Sequence, residues 1–271
     1  MVGVRRPAPP FPTGLFRGSR PLKRWRYVAI FSEELMACVA LVQVGPMSQS
    51  FWALHQRSTG GGLRERTRLL RRRSAVRLDE GRMRVDDDGV RLDLLLEETP
   101  GIEAVCAHGR AEVWTRKQAG VAAHGTISLD GEPAREIEAL AVIDDTAGHH
   151  ARHTEWWWTA GVGESPDGVA LAWNLVAGVN DPETGSERAV WVAGEPSEVP
   201  PVTFAADLSR ISCGDGSELR FLAEAERSRS ENLVIVRSEY RAPFGTFSGT
   251  LPGHVRIADG LGVVEHHRAL W

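Results

Sequence analysis

Asp88-Gly89-Val90-Arg91-Leu92-Asp93-Leu94-Leu95-Leu96-Glu97 decides the fold class. Val90, Leu92, Leu94 and Leu96 share one face of an extended chain, and Arg91, Asp93 and Glu97 share the other. Successive side chains of a strand point to opposite sides, so this alternation predicts a strand with one buried face. The leading Asp-Gly supplies a tight turn, whose two central residues need positive φ.

The same signals recur along the chain. In residues 168–180, Val169, Leu171, Trp173 and Leu175 oppose Ala170, Ala172, Asn174 and Val176. In residues 217–226, Leu219, Phe221, Ala223 and Ala225 oppose Arg220, Glu224 and Glu226. Asp-Gly recurs at 130–131, 167–168, 215–216 and 259–260. Four of the five Asp-Gly pairs separate alternating segments, which predicts antiparallel hairpins and meanders. Residues 65–73 and 134–141 are the best helical candidates, and both are short. The expected class is therefore all-β with few short helices, built from two antiparallel barrel- or sandwich-like halves. An extended arm is expected over 1–24, a first domain over 25–131 and a second over 132–271. The boundary is placed near 129–134.

Bulk properties narrow the function. The chain has 271 residues, a formal net charge of −4, 42% hydrophobic and 25% charged residues. A weakly acidic chain has no global field for nucleic acid, so none is expected as a partner. Cys38, Cys106 and Cys213 are scattered and form no disulfide framework, which favours a cytoplasmic location. Leu35–Val44 is the most apolar stretch. It is too short to span a bilayer and is expected to be a buried strand ending in a turn, leaving at most peripheral membrane contact. The basic run over 64–73 offers phosphate or anionic-lipid binding, but such runs are usually solvated faces.

Chemistry concentrates in residues 144–158, Asp144-Asp145-Thr146-Ala147-Gly148-His149-His150-Ala151-Arg152-His153-Thr154-Glu155-Trp156-Trp157-Trp158. On a strand, His153, Glu155 and Trp157 face one way, and Arg152, Thr154, Trp156 and Trp158 the other. Asp144, Asp145, His149 and Glu155 are the candidates for acid–base work, because a carboxyl in an apolar site can be held protonated. His150, Arg152, Trp156, Trp158, Trp173 and Asn174 are the candidates for ligand contact. Asn174 sits among apolar neighbours and equally fits a structural amide satisfied by backbone. His149, His150 and His153 with Asp144 or Glu155, supplemented by Glu265-His266-His267, hold metal-ligating atoms. Their spacing matches no standard zinc motif, so no metal and no cofactor is expected.

Four ordered motifs carry a resemblance. They are Lys23-Arg24-Trp25-Arg26-Tyr27-Val28, the 144–163 stretch, Ala172-Trp173-Asn174-Leu175-Val176 with Gly178-Val179-Asn180-Asp181, and Pro243-Phe244-Gly245-Thr246-Phe247-Ser248-Gly249-Thr250-Leu251-Pro252-Gly253 followed by Gly262-Val263-Val264-Glu265-His266-His267. Together they resemble the bacterial family called domain of unknown function 2804. That family is similar to the lipocalin-like carotenoid 1,2-hydratases and AttH-type proteins. The resemblance implies two lipocalin-like β domains and a pocket for a hydrophobic small molecule; it carries over no catalytic residue. The expected function is binding of a lipid- or isoprenoid-like molecule. Two alternatives stay open: a cofactor-independent hydratase, isomerase or cyclase, and an interaction protein without a pocket.

Overall fold

The computed structural model describes residues 9–69, 75–233 and 236–270. β1 (Phe16–Arg17) and β2 (Arg20–Pro21) form a small ribbon. The first large sheet holds β3 (Lys23–Phe31), β4 (Leu35–Val44), β5 (Met47–Gln56), β6 (Arg64–Leu69), β7 (Val76–Asp79), β8 (Arg82–Asp87), β9 (Val90–Leu96), β10 (Ile102–His108), β11 (Ala111–Leu129) and β12 (Arg135–Gly148). The second holds β13 (His153–Glu164), β14 (Ala170–Ala177), β15 (Ala189–Val192), β16 (Glu195–Glu198), β17 (Val202–Phe204), β18 (Arg210–Cys213), β19 (Glu218–Leu233), β20 (Val236–Leu251) and β21 (Val255–Leu270). One 3-10 turn, Arg57–Thr59, is the helical content of the described residues.

The two sheets share one wiring. The first runs β6-β5-β4-β3-β12-β11-β9-β8-β7, with β10 added on β11; the second runs β16-β15-β14-β13-β21-β20-β19-β18-β17. In each, the chain enters at the middle and steps outward by hairpins. It then crosses to the far edge and returns until its last strand pairs with its first. Both sheets are antiparallel and curl into half-barrels, the lipocalin-like arrangement expected from the alternation.

The alternation translates directly into burial. Val90, Leu92, Leu94 and Leu96 are at most 5% exposed and join the core of the first half with Val28, Ile30, Trp52 and Ile143. The second half has its own core around Leu171, Trp173, Leu175, Phe221 and Phe247. A third core lies between the halves, where Tyr27, Phe31 and Met36 meet Trp158, Trp191 and Phe244. Each large apolar side chain withdrawn from water contributes about 1.5–3 kcal/mol, so the interface is a cohesive layer of the fold.

Turn chemistry follows the sequence unevenly. Both residues of Asp88-Gly89 and Asp130-Gly131 have positive φ, as a type I′ hairpin requires. At Asp167-Gly168 and Asp215-Gly216 positive φ falls on glycine alone, and Asp259-Gly260 lies inside β21.

Two expectations are corrected. Neither helical candidate is helical. Residues 65–69 lie in β6, paired with β5, and 70–73 fall outside the described residues. Residues 135–141 lie in β12, where Ile137, Ala141 and Ile143 bury on alternate positions; period-2 packing overrides the helix propensity of Glu and Ala. The arm was expected over 1–24. Its first eight residues lie outside the description, but it carries the β1–β2 ribbon, and β3 already begins at Lys23. The 129–134 boundary falls at the turn joining β11 to β12 within the first sheet, and the chain changes sheet at 149–152.

Candidate functional site

β12, the crossover at 149–152 and β13 carry the whole 144–158 cluster along the seam between the halves. The register decides where each side chain goes. Asp144 stands opposite Tyr27 of β3 and Lys117 of β11; Asp145 stands opposite Arg26 and Arg116. Directly opposed residues of an antiparallel sheet share a face, so the two rows point to opposite sides.

The Asp144 row faces a cavity of about 250 Å³ between the two halves. One water needs only roughly 10–15 Å³ of such space. Trp25, Tyr27 and Phe51 line it from the first half, and Trp156, Trp158 and Tyr240 from the second. Trp25 and Trp156 are nearly parallel across it, with ring centroids 6.5 Å apart. Trp158 meets Tyr27 edge-on at 5.6 Å.

Two polar poles interrupt this aromatic wall. At one, Lys117 Nζ lies 2.7 Å from Asp144 Oδ1 and 3.3 Å from Glu187 Oε1. Trp25 Nε1 donates to Asp144 Oδ2 at 2.9 Å, Thr146 Oγ1 donates to Oδ1 at 2.7 Å, and Asn180 Nδ2 donates to Glu187 Oε2 at 3.0 Å. Burial pushes the Glu187 carboxyl above its usual range, and the nearby Asp144 charge adds to the rise; Lys117 opposes it only in part. Burial works against the Lys117 charge, yet the two carboxylates outweigh it and leave its pKa raised.

The other pole gathers Glu265, His267, Tyr240 and Arg227. Trp156 Nε1 donates to Glu265 Oε1 at 2.8 Å, and His267 packs against the Trp156 ring at 4.2 Å. The Arg227 guanidinium covers Phe51 at 4.0 Å and pairs with Glu65 at 2.8 Å. Three lining residues keep buried polar atoms without hydrogen-bond partners: His150 Nδ1, Asn180 Oδ1 and Arg227 Nε, the last of them ion-paired with Glu65. Burial, reinforced by Lys23 and His108, holds His150 well below its ordinary pKa and therefore neutral.

The site residues expected from sequence part company here. Asp144, His150, Trp156 and Trp158 line the cavity. Asp145 does not; it accepts from Arg26 and Arg116 on the far face of β12, in a network closed by Glu98. His149 is buried, with Nε2 3.0 Å from the Gly14 carbonyl oxygen. Glu155 pairs with His266 and Arg268 on the outer face of β13, and Arg152 is exposed. Trp173 fills the second half's own core, because Gly161 opposite it has no side chain and leaves room for the indole. Asn174 stands behind the wall, accepting from Trp158 Nε1 at 2.8 Å and donating to the Glu187 carbonyl. The strand-face split of β13 thus holds, and the Trp156/Trp158 face looks inward.

Lys117, Glu187, Trp25, Tyr27 and Tyr240 were not candidates from sequence, and Glu265 and His267 were weighed only as metal ligands. One signal was available: Thr115-Arg116-Lys117-Gln118 is a polar run inside a long strand, which burial must satisfy. Among the described residues, no three or more His, Cys, Asp or Glu are grouped to hold a metal ion.

Two curled antiparallel half-barrels with a lined space between them define a protein of the lipocalin-like class. The model of the family described as Domain of unknown function (DUF2804) matches residues 63–271, and the chain belongs to that family. No curated protein matches the sequence. Among solved structures, an AttH-like protein from Nitrosomonas europaea is 13% identical with a TM-score of 0.60, covering 96% of this chain and 98% of that one. Kievitone hydratase from Nectria haematococca is 10% identical with a TM-score of 0.56, over 92% and 88% of the two chains. CghA is 8% identical with a TM-score of 0.51, over 91% and 87%. At these identities the likeness establishes the fold. No helix among the described residues is long and apolar enough to cross a membrane.

Proposed function

We propose that the chain binds an uncharged, mainly apolar small molecule bearing a hydroxyl or carbonyl group in the cavity between its halves. The observation carrying this reading is an aromatic-walled cavity whose lining keeps two orphan polar atoms outside any ion pair, His150 Nδ1 and Asn180 Oδ1. Buried polar atoms ordinarily find partners, so these two are suited to a ligand's hydroxyl or carbonyl. A fatty-acid anion fits poorly, since the deep cations Lys117 and Arg227 already have carboxylate partners. Titration with farnesol, an isoprenoid alcohol, tests the reading through tryptophan fluorescence. Saturable quenching that Trp156→Ala weakens supports it. Unchanged fluorescence, together with native mass spectra free of any co-purified small molecule, overturns it.

A second reading is favoured by one feature of the first pole. Two carboxyl groups share one lysine there, and Glu187 is biased toward its protonated form. A protonated carboxyl beside an apolar ligand is a general acid. Glu187 would give its proton to one alkene carbon; water would add to the cation at the other and return a proton to the carboxylate. Kievitone hydratase, a hydratase by name, shares the fold. Mass gain from ¹⁸O-labelled water in an alkene-bearing ligand tests this step. Product formation undiminished in Glu187→Gln removes Glu187 from it.

A further inference from the structure

The pole at Glu265 and His267 holds more chemistry than ligand binding uses. β20 and β21 run side by side, with Tyr240 opposite His267 and Ser238 opposite Ala269. Residues two apart on a strand share a face, so Ser238 and Tyr240 on β20 point the same way as Glu265 and His267 on β21. All four line the cavity. Ser238 Oγ lies 2.8 Å from His267 Nε2, and His267 Nδ1 lies 3.8 Å from Glu265 Oε1. The imidazole thus stands between a hydroxyl on one ring nitrogen and a carboxyl oxygen on the other.

The surroundings set the roles of the two nitrogens. Glu265 Oε1 already accepts from Trp156 Nε1, so it presents lone pairs to the ring. A bare Nδ1 facing it would set lone pair against lone pair. The proton of a neutral ring accordingly belongs on Nδ1, which leaves Nε2 to accept from the Ser238 hydroxyl. The ring is also held from two sides, by Trp156 at 4.2 Å and by Tyr240, which it meets edge-on at 5.3 Å. Ser238 is half-buried at the cavity wall, within reach of solvent. A hydroxyl within hydrogen-bond reach of a base, the base oriented by a third group, is the arrangement that activates a serine. The 3.8 Å between base and carboxyl is a loose spacing of the sort that tightens when substrate is bound.

We propose that Ser238, His267 and Glu265 form a hydrolytic triad that cleaves carboxylic esters whose acyl chain occupies the cavity. Ser238 Oγ bonds to the ester carbonyl carbon while its proton passes to His267 Nε2. The bond from that carbon to the alcohol oxygen then breaks, and the departing oxygen takes the proton. Water repeats the sequence on the acyl-serine. Its oxygen bonds to the carbonyl carbon, its proton passes through His267 back to Ser238 Oγ, and a carboxylic acid leaves. Glu265 touches no reacting atom; it is a positioning residue that holds the ring. An ester is uncharged and bears a carbonyl, so the substrate class rests on the cavity reading, while the triad rests on its own geometry. The acid product ionises in water and is poorly retained, since Lys117 and Arg227 already pair with carboxylates.

Two probes test the triad on the full chain. One is p-nitrophenyl octanoate, read by release of p-nitrophenolate. The other is an alkyl fluorophosphonate, whose phosphorus bonds to an activated serine as fluoride leaves. The octanoate should be cleaved with a kcat/KM at least about tenfold that for p-nitrophenyl acetate, because its longer chain enters apolar space. Ser238→Ala should lower kcat at least about 10²-fold with an unchanged circular dichroism spectrum, and peptide mass spectrometry should place the phosphonyl group on Ser238. Glu265→Gln keeps an oxygen for Trp156, and should lower kcat about tenfold or more with KM unchanged. Ser248→Ala, at an exposed position farther along β20, should change neither readout. Equal turnover in Ser238→Ala, phosphonylation at another residue, or an unaltered kcat in Glu265→Gln overturns the triad. Farnesol quenching separates the triad from the cavity reading. Quenching without Ser238-dependent turnover removes the triad alone. Ser238-dependent turnover of both esters alike, without quenching, upholds the triad and removes the cavity reading alone.

Discussion

Asp144 and Asp145 are neighbours on β12, yet they belong to two different buried charge networks. Asp145 lies inside the first half-barrel with Arg26, Arg116 and Glu98, two cations against two carboxylates. Asp144 lies at the cavity with Lys117 and Glu187, one cation against two carboxylates. The first network balances its charge and borders solid core. The second carries one carboxyl too many and borders open space. An unbalanced charge in a dry setting is costly, which is why burial biases Glu187 toward its neutral form. On the hydration reading proposed above, that surplus acid is the group available to give up a proton.

Breaking the balanced network should have the largest effect. Asp145→Ala strands Arg26 and Arg116 beside a single carboxylate, and should lower the unfolding free energy by about 3–5 kcal/mol in urea titrations. Farnesol quenching by the folded fraction should persist; a variant of unchanged stability would erase the distinction between the two networks.

Removing the surplus acid should act on chemistry instead. Glu187→Gln should stay within about 1 kcal/mol of the parent in stability. If the hydration reading holds, its turnover should fall by at least about 10²-fold. The pH dependence sharpens the point. A carboxyl whose folded pKa is raised stabilises the fold at pH values below its ordinary 4.5 and loses that contribution as pH climbs toward the folded value. Urea midpoints of the parent should accordingly fall, relative to Glu187→Gln, as pH rises above that point. Parallel curves would show that Glu187 ionises normally.

The wall behind the pole should respond more modestly. Trp158→Phe leaves Asn174 Oδ1 without its indole donor and should cost about 1–3 kcal/mol by the same titration. A separate, pH-dependent effect is expected at Lys23, whose amine burial and Arg20 depress to about 7. A lysine with a lowered folded value burdens the fold below that pH, and the burden lifts as pH rises from about 7 toward 10.5. Melting curves of Lys23→Met should therefore rise less steeply over that interval than those of the parent.

The fold was largely legible in the sequence because it rests on local alternation. Val90 to Leu96, Leu35 to Val44 and Leu171 to Leu175 each declared a buried face without knowledge of any partner. The 135–141 segment was misjudged because Glu and Ala favour helix in isolation, whereas the β3 and β11 ladders on either side hold it extended. The site was legible by half. Alternation along β13 separated Trp156 and Trp158 from Glu155 and Trp157 correctly. It could not tell Asp144 from Asp145, since the difference lies in what β3 and β11 place beside them. Lys117 and Glu187 are 70 positions apart by number and meet only because the second half's chain reaches across the seam.

The wiring described for the two sheets has a mechanical corollary. Lys23 at the start of β3 stands beside Gly148 at the end of β12, and His153 at the start of β13 stands beside Leu270 at the end of β21. Entry, crossover and exit are thus gathered at one neck. Tension applied at Lys23 and Leu270 pulls each first strand from its last at their shared tip, parting hydrogen bonds one after another like a zipper. A pair loaded this way yields at lower force than one sheared along its length. Stretching from that neck should peel β3 from β12 and β21 from β13, opening the wall that holds Asp144, Trp156 and Glu265 before the outer strands of either half come apart.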